Sequence, residues 1–186
     1  MKILIAEDDE NSRHLLEDVL SSEGYDVVSF DNGLKALSYL QAEPVDLIVS
    51  DILMPELDGY GLCRALKQNI SLQKIPFVFY TATYTTAQDE RFAIALGANK
   101  FLIKPMLMPD FLKVIKDVID SDEAGRGPKN RGLYRGSPLK LDKQHADLVR
   151  GKLDKKLIEL NEERSKLIES EARFRDFAEA SADWFW

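Results

Sequence analysis

Charged and hydroxyl side chains follow or end four short apolar runs of the sequence. They are Glu7 and Asp8 after KILIA (2–6), Asp51 after DLIVS (46–50), Thr81 at the end of FVFYT (77–81) and Lys104 after KFLI (100–103). Carboxylates without a softer ligand nearby suit a hard divalent cation of the magnesium type. With such an ion bound, one carboxylate can attack phosphorus while an ammonium and a hydroxyl stabilise the transferred group. The pattern therefore predicts Mg²⁺-assisted formation of an aspartyl phosphate, if the fold brings these residues together.

Each of these residues also has an ordinary structural interpretation. Glu7 and Asp8 would be favoured at a helix N-terminus by the helix dipole. Thr81 could cap a helix, Lys104 could be a solvated charge, and a lone Asp at a strand end is more often a cap than a nucleophile. The chemical interpretation depends on the joint placement of these side chains at four strand ends.

The elements that would position them alternate along the chain. Five runs rich in β-branched and aromatic residues (2–6, 26–30, 46–50, 77–81 and 100–103) are separated by stretches with apolar residues at helical spacing. Leu15 and Leu16 belong to the predicted apolar face of the first helix, and Leu34 to that of the second. This alternation predicts an α/β fold with a doubly wound, five-stranded parallel sheet. Ligands of such sheets bind outside the carboxyl ends of the strands, where the polar residues lie.

Length and charge limit the function further. The 186 residues suffice for one domain with a proper core plus an appendage, and no apolar run approaches the length of a membrane span. We therefore expect a cytoplasmic protein without a membrane partner. Residues 1–124 carry 11 Lys and Arg against 21 Asp and Glu, a balance of −10, whereas residues 125–186 carry 14 against 11, a balance of +3. The acidic first part argues against nucleic acid as a direct ligand.

The first 121 residues resemble the receiver domains of two-component response regulators, which have a flavodoxin-like fold. The resemblance rests on the motifs ILIAEDDENSR (3–13), DLIVSDILMPELDG (46–59), FYTA (79–82) and GANKFLIKP (97–105), in the order and at close to the spacing of that family. It implies that Asp51 is the phospho-acceptor and that Thr81 and Lys104 hold the phosphoryl oxygens. It also implies that the ring of Phe101 swings inward on phosphorylation.

The same resemblance implies a set of ligands for Mg²⁺. Asp8 and Asp51 would bind the ion together with the backbone carbonyl of Leu53, and Glu7 would contribute through water. The Lys104–Pro105 peptide bond matches one that is usually cis in the family, and proline is the residue at which a cis bond is tolerable.

The remainder of the chain divides into three predicted segments. Residues 122–140, rich in Gly and basic residues, are a predicted linker. Residues 141–177 are a predicted signalling helix in which Leu153, Leu160, Leu167 and Phe174 recur every seven residues, as in a coiled coil; a lone amphipathic helix is the alternative. His145 is expected on the surface of this helix. Residues 178–186 resemble the beginning of a PAS sensory domain.

The resemblance implies a receiver that takes a phosphoryl group from a histidine kinase or phosphotransfer protein onto Asp51. Such a protein is not an enzyme in the usual sense, although it promotes its own Mg²⁺-dependent phosphorylation and dephosphorylation. We expect a homodimer through the face of the fourth and fifth helices and through the C-terminal helix. An aspartyl phosphatase of the haloacid-dehalogenase type is the alternative, but that class requires an acid where Leu53 stands. An interaction module that has lost phosphorylation is disfavoured, since all acceptor-site residues are present.

Overall fold

A five-stranded parallel sheet with the strand order β2-β1-β3-β4-β5 forms the centre of the first unit of the chain. The computed structural model describes residues 1–82, 86–123 and 138–182. The chain divides into two units, residues 1–145 and residues 146–186. The strands are β1 (Lys2–Ala6), β2 (Asp26–Phe30), β3 (Leu47–Ser50), β4 (Phe77–Thr81) and β5 (Lys100–Ile103). The predicted α/β class and flavodoxin-like topology are confirmed, and only β3 begins one residue later than its apolar run.

Five helices connect and follow these strands. They are α1 (Glu10–Ser22), α2 (Gly33–Ala42), α3 (Gly59–Gln68), α4 (Ala87–Leu96) and α5 (Met108–Glu123). Side chains of Asp9, Asn32, Asp58 and Thr86 accept backbone N–H bonds at the starts of α1 to α4. Such caps satisfy donors that a helix leaves unpaired at its first turn. These four capping residues mark where α1 to α4 begin.

The three inner strands β1, β3 and β4 are buried on both faces, which explains why their sequences are largely apolar. On one face Ile3, Ile5, Val49 and Val78 pack in a cluster with residues of α1 and α5, such as Leu20 and Ile115. On the other face Tyr60 of α3 contacts the rings of Phe79 and Phe92. Complete burial of one large apolar side chain stabilises the fold by about 1.5–3 kcal/mol.

Leu15 and Leu34, which the sequence placed on apolar helix faces, are half exposed, so this detail was wrong.

A sixth helix, α6 (Pro138–Ala182), spans 45 residues. It begins before the predicted residue 141 and continues past residue 177, so the predicted segment bounds at 140 and 178 do not coincide with its ends. Proline is tolerated in the first turn of a helix, where its missing N–H has no intrahelical partner. Most of the predicted linker (124–137) and the end of the segment predicted to begin a PAS domain (183–186) lie outside the described residues.

A row of apolar side chains in the second unit is exposed. Leu153, Leu160, Leu167 and Phe174 expose 54%, 49%, 61% and 75% of their surface. A helix of this length cannot bury such a row by itself. Among the helices of the described residues, none combines the length and apolar character that crossing a bilayer requires.

Candidate functional site

Asp51 follows β3 and is held by backbone bonds on both sides. Its N–H donates to the carbonyl of Ala6 at the end of β1 (2.8 Å). Its own Oδ1 accepts the N–H of Ile52 (2.5 Å). Gly59 lies against its carbonyl oxygen, and a Cβ at that position would collide with this oxygen. The acceptor candidate is therefore fixed at the carboxyl end of the central strand, next to β1.

Glu7 and Asp8 leave β1 beside Asp51. One oxygen of each of the three carboxylates lies within 4.8 Å of the corresponding oxygens of the other two. Glu7 is almost completely buried, whereas Asp8 is exposed. No role was predicted for Arg13, whose guanidinium donates to the carbonyl of Glu7 (2.8 Å) and thereby holds the segment that carries these two acids. Its place one turn into α1, next to the acids, is the signal that could have identified it.

Lys104 follows β5 and reaches into the carboxylate cluster. Its ammonium donates to Glu7 Oε2 and lies 3.7 Å from Asp51 Oδ2. It also lies 5.2 Å from the centre of the Tyr80 ring, in cation-π geometry that the sequence did not predict. The Lys104–Pro105 bond is cis, as expected. The structure thus brings together four of the predicted site residues from three strand ends.

The other predicted residues surround this cluster. Thr81 is buried at the end of β4, and its carbonyl accepts the N–H of Lys104 (2.8 Å). Phe101 is half-buried on β5, with its ring centre 6.1 Å from that of Phe79. Leu53 lies two residues after Asp51 in the loop before α3 and is half-buried. The roles of Thr81 and Phe101 as switch residues and of the Leu53 carbonyl as a ligand stay predictions.

The electrostatics of the cluster favour a cation. Burial, reinforced by the neighbouring charge of Asp51, raises the pKa of Glu7 to about 7. Burial and the charge of Asp51 also raise the pKa of Asp8. One ammonium offsets only part of the repulsion among three carboxylates. An all-oxygen donor set with surplus negative charge fits Mg²⁺.

His145 lies close to the loop that follows the acceptor. Its Nε2 is 2.8 Å and 3.0 Å from the two carboxylate oxygens of Asp58. His145 lies on the surface of its helix, as expected, but the sequence did not predict the contact with Asp58, which leaves only 19% of its side chain exposed.

Comparison with known proteins agrees with this geometry. A family profile described as "Response regulator receiver domain" matches residues 3–116. The "Probable transcriptional regulator ycf27" of Porphyridium aerugineum is 33% identical over 144 residues, which are 76% of this chain and 58% of that protein. The relative of the same name from Cyanidium caldarium is 31% identical over 173 residues, which are 91% of this chain and 64% of that protein. This chain therefore spans well under two thirds of the length of the first of these relatives.

Solved structures give the same result. The receiver domain of a signal transduction histidine kinase from Syntrophus aciditrophicus is 33% identical with a TM-score of 0.60, covering 64% of this chain and 90% of that one. The receiver domain of a sensor histidine kinase from Pseudomonas aeruginosa, described with magnesium coordinated in its active-site cleft, is 27% identical with a TM-score of 0.59 and covers 64% and 98% of the two chains. These matches support the receiver interpretation and give no support to the haloacid-dehalogenase alternative.

Proposed function

The chain belongs to the response regulator receiver domain family, and from this premise we propose that Asp51 accepts a phosphoryl group from a phosphohistidine of a histidine kinase or phosphotransfer protein. The observation that supports this most is the position of Asp51 Oδ2, 3.7 Å from the Lys104 ammonium within a carboxylate cluster at the strand ends. The deciding measurement is phosphoryl transfer from a small donor such as acetyl phosphate, followed by intact mass and by mapping the modified peptide. Transfer to a residue other than Asp51 would refute the proposal.

The residues of the site have different roles in this transfer. A carboxylate oxygen of Asp51 forms the new bond to phosphorus as the phosphorus–nitrogen bond of the donor breaks. Lys104 supplies a fixed positive charge beside the oxygens of the group in transit, and the Thr81 hydroxyl donates a hydrogen bond to one of them. Because these groups are held by strand ends, little reorganisation is needed during the reaction. The domain thereby promotes its own phosphorylation without turning over a substrate as an enzyme does.

Asp8, Asp51 and the carbonyl of Leu53 would hold Mg²⁺, with Glu7 acting through water. When bound, the ion neutralises the carboxylates and the charge of the phosphoryl oxygens. The raised pKa of Glu7 and of Asp8 supports this assignment, because both carboxylates are poorly compensated by Lys104 alone.

Phosphorylation would be relayed through Thr81 and Phe101 to the face formed by α4, β5 and α5. This face carries the exposed apolar side chains Ile94, Ile103 and Leu107. We propose that it contributes to a homodimer together with α6, and that residues 178–186 begin a PAS-like domain.

We further propose a cytoplasmic location and no direct contact of the acidic residues 1–124 with nucleic acid. The relatives named as transcriptional regulators are longer proteins.

Replacing Asp8 by alanine should weaken Mg²⁺ binding while leaving the fold intact. We expect the dissociation constant for Mg²⁺ to rise at least about tenfold. Even the loss of a residue that only hydrogen-bonds to a metal ligand weakens metal binding by about that factor. Thermal stability in metal-free buffer should stay the same or rise, since one repelling carboxylate is lost. Calorimetric titration and thermal unfolding measure the two effects. Asp18→Asn, on the exposed side of α1, is the control. A large loss of metal-free stability in Asp8→Ala would indicate a structural role.

The exposed row of α6 should pair with a second copy in parallel. Replacing Cys63 by alanine removes the one native thiol, after which single cysteines are introduced at Leu153 or Phe174. Parallel chains bring identical positions together, so each variant should cross-link to itself under mild oxidation. A cysteine at exposed Glu162, off the row, should do so poorly.

Arg164 and Glu171 would make this seam imperfect, because each faces its own copy in a parallel pair. Such a seam changes register or rotation more easily than an all-apolar one, which suits a signalling helix. If a mixture of the two variants links position 153 to position 174 and neither variant links to itself, the chains are antiparallel. The proposal of a parallel dimer would then be wrong.

A further inference from the structure

Asp142 and His145, in the first turns of α6, contact the surface formed by α3 and the neighbouring part of α4. We define the α6 root as residues 138–145 and the α3–α4 surface as Asp58, Tyr60, Arg64 and Phe92. Besides the contact of His145 with Asp58, the guanidinium of Arg64 pairs with the carboxylate of Asp142. The His145 ring stands at 86° to the Tyr60 ring, with the ring centres 5.8 Å apart, and lies 6.3 Å from the Phe92 ring. Two polar pairs and an aromatic pocket thus engage one side of the root.

The contact is specific rather than a chance surface pair. The side chains of His145 and Asp58 expose only 19% and 18% of their surface. Exposed ion pairs contribute little, but a charged acceptor that is largely withdrawn from water interacts more strongly with its donor. Tyr60 and Phe92 are themselves buried core residues, and the Tyr60 hydroxyl donates to Asp89 of α4 (2.9 Å). The pocket for His145 is therefore built on the rigid interior of the receiver.

A short loop, held by hydrogen bonds at both ends, connects this pocket to the acceptor. Ile52 donates its N–H to Asp51 Oδ1 (2.5 Å), and its carbonyl accepts the N–H of Gly59 (2.8 Å). Asp58, directly before Gly59, caps α3 by accepting the N–H of Gly61 (2.7 Å). The loop from Ile52 to Asp58 is thus bonded at one end to the acceptor carboxylate and carries at its other end the partner of His145.

We propose that the α3–α4 surface is the docking site of the α6 root, and that phosphorylation of Asp51 releases the root from it. The second half rests on the proposed function. A phosphoryl group on Asp51 turns the carboxylate into an acyl phosphate, whose remaining oxygen is an uncharged and therefore weaker acceptor for the Ile52 N–H, so the loop is held less firmly. The Nε2–H of His145 shares one hydrogen bond between the two carboxylate oxygens of Asp58, at 2.8 Å and 3.0 Å, so a displacement of Asp58 weakens it. The receiver would then control its long helix at the root as well as through a dimer interface.

Chemical cross-linking of the full chain tests the docking half without phosphorylation. In the Cys63→Ala background, Arg64→Cys and Asp142→Cys place one thiol on each side of the contact, and a short bismaleimide joins them. These changes remove the Arg64–Asp142 pair, so docking then depends more strongly on His145. Adding His145→Ala should lower the rate of intramolecular cross-linking at least about threefold. This factor is smaller than the one that the complete loss of a hydrogen bond to a charged group would give. His14→Ala changes the other histidine of the chain, exposed on α1, and should have no effect.

Equal cross-linking rates with and without His145, or no intramolecular product in any variant, would overturn the docking site. Circular dichroism of each variant checks that the helices remain folded, so that a lost cross-link reports on docking.

The phosphorylation half is tested by reciprocity, because a site that phosphorylation weakens must itself oppose the phosphorylated state. With Mg²⁺ present, His145→Ala should bind the phosphoryl mimic beryllium fluoride about fivefold more tightly than the unchanged chain, within the usual range of coupling between sites. His14→Ala should match the unchanged chain. Unchanged or weaker binding in His145→Ala would refute release. If the unchanged chain binds no mimic and takes up no phosphoryl group, the proposed function and the release both fail, while the cross-linking still decides the docking site.

Discussion

Replacing Asp51 by asparagine should abolish phosphoryl uptake by this chain. The amide of asparagine occupies the same space as the carboxylate but lacks its negative charge and is a poor nucleophile toward phosphorus. The change also removes one of the three carboxylates that would hold the metal. Intact mass after incubation with acetyl phosphate and Mg²⁺ measures the effect. We expect one phosphoryl addition on the unchanged chain and none on Asp51→Asn.

The matched control lies at the other end of the same strand. Asp46 directly precedes β3, and its side chain accepts the N–H of Lys2 (2.6 Å) far from the cluster. Asp46→Asn removes one carboxylate from the same segment of chain and should keep full phosphoryl uptake. If Asp51→Asn still gains a phosphoryl group, or if peptide mapping finds it on His145, Asp51 is not the acceptor.

Replacing Glu7 by glutamine should change how stability depends on pH in metal-free buffer. The pKa of Glu7 is raised from 4.5 to about 7 in the folded state, mainly by burial and then by the charge of Asp51. Between pH 4.5 and pH 7 the folded state therefore binds a proton that the unfolded chain has released. The stability associated with that proton is fully present below pH 4.5 and is lost as the pH rises through 7. By linkage the loss amounts to about 3 kcal/mol.

Glutamine mimics the protonated carboxyl and does not titrate, so Glu7→Gln should lack this part of the decline. Denaturant unfolding of both proteins from pH 4.5 to pH 8 measures it, and the difference between the two curves cancels contributions from other acids. Glu43→Gln, a change in an exposed acid at the end of α2, should follow the unchanged chain. Parallel curves for Glu7→Gln and the unchanged chain would mean that the charge of Glu7 is well compensated when no metal is added.

Added Mg²⁺ should reverse the decline in the unchanged chain at pH 8, because a ligand that binds only the folded state stabilises it. Glu7→Gln should gain less from the ion, since its cluster carries one charge fewer. This difference separates a role of Glu7 at the metal from a purely structural role in the ion pair with Lys104.

Local patterns in the sequence determined the elements and which polar residues stand at the strand ends. Runs such as KILIA (2–6) and FVFYT (77–81) became strands with the predicted bounds, because a strand buried on both faces has to be apolar throughout. The polar residues after these runs met at one edge of the sheet, because parallel strands all end at the same side. Asp51 and Lys104, 53 positions apart in the sequence, were therefore predictable as neighbours.

Tertiary packing decided the features that depend on distant partners. The periodicity of α1 and α2 did not reveal that Leu15 and Leu34 stay half exposed, because it shows which residues share a helix face and not how much of that face another element covers. The raised pKa of Glu7 requires both burial and Asp51, 44 residues away. The pocket of His145 is formed by Asp58, 87 residues earlier, and by aromatic rings of two other helices. A sequence pattern records spacing along the chain, whereas contacts between elements arise only when their faces pack together.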